Sequence, residues 1–252
     1  MTKPAQLTFF TELEKEPLSA LFSKPGVVNQ LVALKAGVSM GILDFSDERA
    51  SVARRLNESG VPIVAWQLLP KDQGYWYHLN SADYAVERYR QFRNWSIEQN
   101  LGWDAIGIDI EPDINEFQEL LRYNFRTLYS LIRRIWEKKQ FADSCATYES
   151  LVARMHSDGY PVQSYEYFFM ADERKTGSSL LTRLFGLAKV STDKRVAMLY
   201  SSFFALSAWG CSGYTAIRWI RPQSALPVAG LNWKAWKIRN RRPGKNSPVI
   251  FE

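Results

Sequence analysis

The sequence is poor in the residues that build disulfide frameworks and histidine-rich metal centres. Among its 252 residues there are only two cysteines, Cys145 and Cys211, and two histidines, His78 and His156. Two thiols cannot form a disulfide scaffold or a four-cysteine zinc site, and they suit a reducing compartment. Two histidines make a histidine-rich metal centre equally unexpected. We therefore expect the protein to work without a metal ion or other cofactor.

Long apolar runs and phosphate-binding glycine motifs are also missing. No uninterrupted apolar stretch reaches the roughly 18 residues that a membrane-spanning helix needs, and the first residues lack the apolar region of a signal peptide. Neither GxGxxG nor the P-loop pattern occurs, which argues against a nucleotide-binding open sheet. We expect a cytoplasmic protein that does not insert into a membrane.

Excess charge of one sign is confined to the carboxyl-terminal end. The net charge is +6, and residues 222–252 hold six basic side chains against one acidic side chain. This basic C-terminal segment is the feature that would attract nucleic acid, if any does. Such segments more often serve as solvated extensions, so we do not expect nucleic acid as a partner. The sequence gives no indication of the oligomeric state.

What the chain does have is a regular alternation of short apolar runs and helical patterns. The apolar runs predict strands over residues 7–13, 38–45, 61–69, 103–111, 162–169, 195–202, 216–220 and 248–251. The helical patterns fall at residues 27–36, 47–57, 82–100, 115–156 (broken near 141–143) and 178–188. This alternation, without a linker or repeat, predicts one α/β domain over residues 1–252, a TIM-like (β/α)8 barrel whose C-terminal repeat is irregular or incomplete. A doubly wound open sheet is the alternative.

The fourth predicted strand carries the most informative pattern. Side chains alternate along a strand, so its three isoleucines share one face and Gly107, Asp109 and Glu111 share the other. Two carboxylates at this spacing lie about 6–7 Å apart at the backbone. At that distance, one carboxylate can ionise while raising the proton affinity of the other. Because the carboxyl ends of barrel strands form the active site, this pattern predicts a catalytic pair there.

Other polar and aromatic side chains near the strand ends are candidates for the same site. Glu166 is a candidate catalytic carboxylate. The candidates for substrate binding are Asp44, Trp66, Gln67, Tyr75, Trp76, Tyr165, Tyr167 and Trp219. Flat aromatic rings pack on the C–H faces of sugars, and amides and carboxylates bind hydroxyl groups. This combination predicts a carbohydrate substrate, although salt bridges, a helix cap at Asp44 or a packed aromatic loop would also account for single members.

Residues 104–111, with the sequence DAIGIDIE, resemble a known pattern. Family 18 glycoside hydrolases, the chitinase-like barrels, carry D-x-x-D-x-D-x-E on the fourth strand. Three of the four acidic positions match, and Gly107 stands where the family has its middle Asp. The resemblance implies that Glu111 is the general acid and that Asp109 orients a 2-acetamido group as internal nucleophile. It also implies that Tyr165 or Tyr167 helps to hold that group.

We therefore predict a metal-independent glycoside hydrolase in which Glu111 is the acid and Asp109 assists it. Glu111-Pro112 also looks like the acid motif of other barrel glycosidases, whose second carboxylate would be Glu166 here. Two alternatives stay open. Asp109, Glu111 and either Asp113 or Glu166 could hold Mg²⁺ or Mn²⁺ in a lyase, isomerase or phosphodiesterase. Gly107 also leaves room for a sugar-binding barrel without catalysis.

Overall fold

The computed structural model describes residues 7–112 and 136–198, which form six strands and seven α-helices. The strands are β1 (Thr8–Thr11), β2 (Gly37–Ile42), β3 (Ile63–Gln67), β4 (Ala105–Asp109), β5 (Val162–Tyr167) and β6 (Lys194–Met198). The helices are α1 (Lys15–Phe22), α2 (Pro25–Ala33), α3 (Asp47–Glu58), α4 (Ala82–Glu98), α5 (Lys138–Ser157), α6 (Phe168–Thr176) and α7 (Leu180–Leu184). Short 3₁₀ turns lie at Lys71–Gln73 and Leu79–Ser81.

Local sequence explains where several of these helices begin and end. Helix α2 starts with Pro25, whose fixed φ angle and missing N–H suit the first helical position. Helix α3 follows Ser46, whose hydroxyl accepts a hydrogen bond from the backbone N–H of Arg49. Gly60, with φ of +69°, follows its last turn, as is common at helix ends. These signals confirm the predicted start of α3 after Ser46.

The strands form one parallel sheet in the order β1-β2-β3-β4-β5-β6, so each strand pairs with its neighbours in the chain. The sheet curls strongly, because side chains of distant strands meet on its inner face. The rings of Phe10 in β1 and Tyr165 in β5 lie 5.1 Å apart, and the hydroxyl groups of Tyr165 and Ser39 in β2 lie 2.7 Å apart. The outer face packs against helices and holds fully buried residues such as Met40 and Ile63.

The prediction of a closed eight-stranded barrel was wrong. Residues 7–112 and 136–198 form an open half-barrel of six strands, with β1 and β6 at its edges. Strand–helix alternation specifies each local parallel crossover. Closure needs pairing between the first and last strands, which no local pattern encodes. The strands predicted at 216–220 and 248–251, and the basic C-terminal segment, lie outside the described residues.

The first six predicted strands are confirmed in position, and helix α4 and the start of α3 agree closely with prediction. The break predicted near residues 141–143 was wrong, because α5 runs through them without interruption. Helix α6 begins where the predicted fifth strand was expected to continue, at Phe168. None of the helices in the described ranges is long and apolar enough to cross a membrane.

Candidate functional site

Strand β4 places Asp109 and Glu111 at the carboxyl end of the sheet. The backbone N–H of Tyr77 donates to the carbonyl of Asp109 (2.8 Å), and the N–H of Glu111 donates to the carbonyl of Tyr77 (3.2 Å). The segment after β3 therefore returns beside β4 and extends its pairing by two residues. Glu111 is held by this extension, and both carboxyl groups are buried, with 2% and 6% of their surface exposed.

Neutral hydrogen-bond donors surround the carboxyl pair. The indole Nε1 of Trp66 donates to Oδ2 of Asp109 (3.2 Å), and the hydroxyl of Tyr167 donates to Oε2 of Glu111 (3.0 Å). Trp66 comes from β3 and Tyr167 from β5, the two strands that flank β4. Two substrate-binding candidates thus lie at the pair, where each contacts one carboxylate.

Burial shifts the titration of both carboxyl groups upward. Desolvation raises the pKa of Asp109 well above its ordinary value, and the negative charges of Glu111 and Glu12 raise it further. Burial raises the pKa of Glu111 to about 7, although the hydroxyl of Tyr167 acts in the opposite direction. Two adjacent carboxyls with raised pKa values retain protons near neutral pH, so the site can donate one.

Tyr165 explains why residue 107 is a glycine. A Cβ atom on Gly107 would lie 2.7 Å from the Tyr165 hydroxyl oxygen and 2.8 Å from its Cε2 atom. The hydroxyl of Tyr165 is fixed by Ser39 at 2.7 Å and by an N–H donated from Gln163, also at 2.7 Å. The phenol ring therefore fills the space that a side chain at position 107 would need. An aspartate at this position would require Tyr165 to move.

Glu12 is a carboxylate near the pair that the sequence analysis missed. It follows β1 directly, and its side chain accepts a hydrogen bond from the hydroxyl of Tyr75. Its charge raises the pKa of both Asp109 and Glu111. A polar residue immediately after the first strand was the available signal, because the carboxyl ends of parallel strands meet at one edge of the sheet.

Aromatic side chains at the site pack on one another more than they face open space. Trp66 contacts Phe10 and Tyr165 in edge-to-face geometry, with ring centroids 5.7 and 5.9 Å apart. Tyr75 is buried, and its ring lies edge-on to that of half-buried Trp76 at 5.5 Å. Of these rings, Trp76 keeps the most surface for a sugar. Trp219 lies outside the described residues.

Three predicted site residues are not brought to the pair. Glu166 points to the opposite face of β5 from Tyr165, where Arg174 lies 2.6 Å from its Oε2 atom. Gln67 lies on the outer face of β3, fully buried. Asp44 pairs with Arg49 at 3.0 Å. Burial alone would raise the pKa of Asp44, but hydrogen bonds from Arg49 and from the Ser46 cap of α3 outweigh it and lower the pKa to about 2.

A cavity of about 630 Å³ adjoins the carboxyl pair. Its polar end is formed by Glu12 and Asp109, and Trp66 and Tyr165 line it beside them. The remaining lining is largely apolar and comes mainly from β1, α1 and α2. Within residues 7–112 and 136–198, no group of three or more histidine, cysteine or acidic side chains is arranged to hold a metal ion.

Comparison with known proteins gives this arrangement no name. No family model matches the chain, and no curated protein matches it significantly. The chemistry of the site therefore rests on its own geometry: a buried carboxyl pair, a third carboxylate at Glu12, and tyrosine and tryptophan donors around them.

Proposed function

We propose that the protein is a glycoside hydrolase that acts on an oligo- or polysaccharide by carboxylate acid–base catalysis. Glu111 is the general acid and Asp109 assists it. The observation that carries the proposal is the buried Asp109–Glu111 pair, in which the pKa of Glu111 is raised to about 7. A general acid works best when its pKa lies near the working pH, and a glycosidic oxygen must be protonated to leave.

The surroundings of Glu111 suit the proton transfer. Glu111 gives its proton to the leaving oxygen and becomes a carboxylate. The Tyr167 hydroxyl then donates to that carboxylate, which stabilises the charge left behind. Asp109, fixed by the indole of Trp66, supports the attacking group and offsets the positive charge that develops on the sugar ring. Asp109 would play the same part with a 2-acetamido sugar, as the family 18 resemblance implies.

A carbohydrate fits the described residues around the pair better than a small apolar substrate does. Half-buried Trp76 offers a flat aromatic face close to the buried carboxyl groups. Glu12 adds an acceptor for sugar hydroxyl groups at the polar end of the cavity. We also infer a cytoplasmic location, because the scarcity of cysteine fits a reducing compartment.

Replacing Glu111 by Gln is the decisive test. N-acetylated and neutral oligosaccharides are first screened for hydrolysis by the unaltered protein, and binding is measured by the shift in melting temperature. We expect Glu111→Gln to lower kcat at least about 100-fold while binding and folding persist, because the amide cannot donate the required proton. In the unaltered protein, kcat should fall as pH rises above about 7, since Glu111 then loses its proton.

Glu58→Gln is the matched control, because it makes the same change at an exposed position at the end of α3. It should leave kcat unchanged. Undiminished turnover in Glu111→Gln would disprove the assignment of the acid. Saturable oligosaccharide binding without any product would replace the hydrolase with a sugar-binding protein.

A further inference from the structure

Glu12 shares the edge of the sheet with the carboxyl pair but has no part in the proton transfer described above. It follows β1, and it borders the same cavity as Asp109, Trp66 and Tyr165. We propose that Glu12 is a positioning residue of the acid site, held there by the hydroxyl of Tyr75, and that its negative charge keeps the acid protonated at neutral pH. The catalytic part of this inference rests on the proposed hydrolase function.

The backbone around Tyr75 is arranged to present its hydroxyl to Glu12. Tyr75 has a φ angle of +64°, which is rare for a bulky residue. Its carbonyl accepts a hydrogen bond from the N–H of Leu69 (2.8 Å), and its ring packs edge-on to Trp76. The residue is buried, with 7% of its surface exposed. A strained and buried tyrosine whose hydroxyl contacts an exposed glutamate is consistent with a positioning role.

The other groups around the pair do not supply a countercharge. Tyr167 and Trp66 donate hydrogen bonds to the pair, and the hydroxyl of Tyr165 is engaged by Ser39 and Gln163. None of the groups that shift the two pKa values in the described part of the chain is basic. The nearby buried arginines are engaged elsewhere. Arg49 binds the carboxylate of Asp44 together with backbone carbonyls, and Arg88 binds backbone carbonyls.

The sign of the effect follows from electrostatics. A carboxylate near another carboxyl group disfavours its ionisation and raises its pKa. The charge of Glu12 does this for both Asp109 and Glu111. Neutralising Glu12 should therefore lower the pH at which Glu111 loses its proton. Rotation of Glu12 into solvent, after loss of the Tyr75 hydroxyl, should act in the same direction to a smaller extent because water screens the charge.

The test is a carboxyl titration of the full-length protein, followed by ¹³C NMR, which needs no substrate. It compares the unaltered protein with Glu12→Gln, Tyr75→Phe and the control Glu16→Gln, which removes an exposed charge from the first turn of α1. We expect Glu12→Gln to move the titration of Glu111 down by on the order of half a pH unit, less at high salt. Tyr75→Phe should move it less, and Glu16→Gln should not move it.

An unchanged titration in Glu12→Gln would overturn the inference. A shift in Glu12→Gln with none in Tyr75→Phe would overturn the role of Tyr75. If an oligosaccharide is hydrolysed, the alkaline limb of kcat in Glu12→Gln should move to lower pH by the same amount as the titration. A shifted titration in a protein that hydrolyses no oligosaccharide would leave this inference standing and disprove the hydrolase.

Discussion

Tyr165 links four strands through a single side chain. Its ring packs on Phe10 of β1 and Trp66 of β3, and its hydroxyl reaches Ser39 of β2. The same ring covers Gly107 of β4 so closely that no Cβ atom fits between them. The inner face of the curled sheet is therefore organised around one phenol ring, directly below the carboxyl pair.

Gly107→Ala should destabilise the protein because the new methyl group meets the Tyr165 ring. Overpacking of this kind costs about 1–3 kcal/mol, since the ring cannot move without breaking its hydrogen bonds to Ser39 and Gln163. The measurement is urea unfolding followed by circular dichroism, with the free energy of unfolding compared with that of the unaltered protein.

Gly26→Ala is the control for this substitution. Gly26 lies in α2, and a Cβ atom there would meet nothing within 4 Å. We expect that variant to be as stable as the unaltered protein or slightly more stable. Equal stabilities for Gly107→Ala and Gly26→Ala would contradict the contact between Tyr165 and β4.

At the scale of elements, a buried arginine fixes the carboxyl ends of the first two strands. Arg49 of α3 is fully buried and donates to the carbonyl of Gly41 in β2 (2.7 Å) and to that of Leu13 after β1 (3.1 Å). Asp44 balances its charge. Helix α3 thereby holds the β1 end from which Glu12 projects, even though Arg49 does not contact the carboxyl pair in any bond described above.

Arg49→Met should lower the free energy of unfolding by about 3 kcal/mol, because it leaves buried carbonyl groups and Asp44 without their donor. Thermal and urea unfolding measure the effect. Arg55→Met, at an exposed position of the same helix, should change stability by less than about 0.5 kcal/mol. A loss in Arg49→Met no larger than that of Arg55→Met would show that these bonds contribute little.

Periodicity and turn chemistry were enough to predict the described strands, and they also assigned the faces of β4. Asp109 lies on the same face as Gly107, and Ile106, Ile108 and Ile110 are buried on the other, as alternation predicted. The same alternation separates Glu166 from Tyr165, but the choice of inner face required the register between β4 and β5. Such register is a long-range property, and local sequence does not contain it.

The site was predicted in part for the same reason. The sequence identified Asp109 and Glu111 from a single strand. Their partners come from strands whose side-by-side order has to be known, and this order brings in Trp66, Tyr167 and the unpredicted Glu12. Barrel closure was predicted wrongly because it too depends on pairing between distant parts of the chain.

At the scale of the whole molecule, two groups of carboxyls give stability opposite pH dependences. The folded pKa of Glu111, about 7, exceeds its ordinary value of 4.5, so stability falls as pH rises between these values. The folded pKa of Asp44, about 2, is below its ordinary value of 3.8, so the stability it contributes is lost as pH falls from about 4 to 2. Stability should be greatest near pH 5.

Melting temperatures measured from pH 2 to pH 9 test this expectation. The unaltered protein should lose on the order of 2 kcal/mol between pH 5 and pH 8, and Glu111→Gln should lose much less because its amide does not titrate. Asp44→Asn should flatten the acid side instead. A decline above pH 5 that is the same in Glu111→Gln and the unaltered protein would disprove the raised pKa.

The consecutive order of the strands also bears on how the chain folds as it is synthesised. Each strand from β1 to β6 pairs with the strands made just before and just after it, so pairing does not wait for a distant segment. We expect the sheet to grow from the amino terminus as the chain leaves the ribosome. Glu12 and Trp66 would then be in place before Asp109 and Glu111 emerge, and β5 would complete the proton-donating site by adding Tyr167.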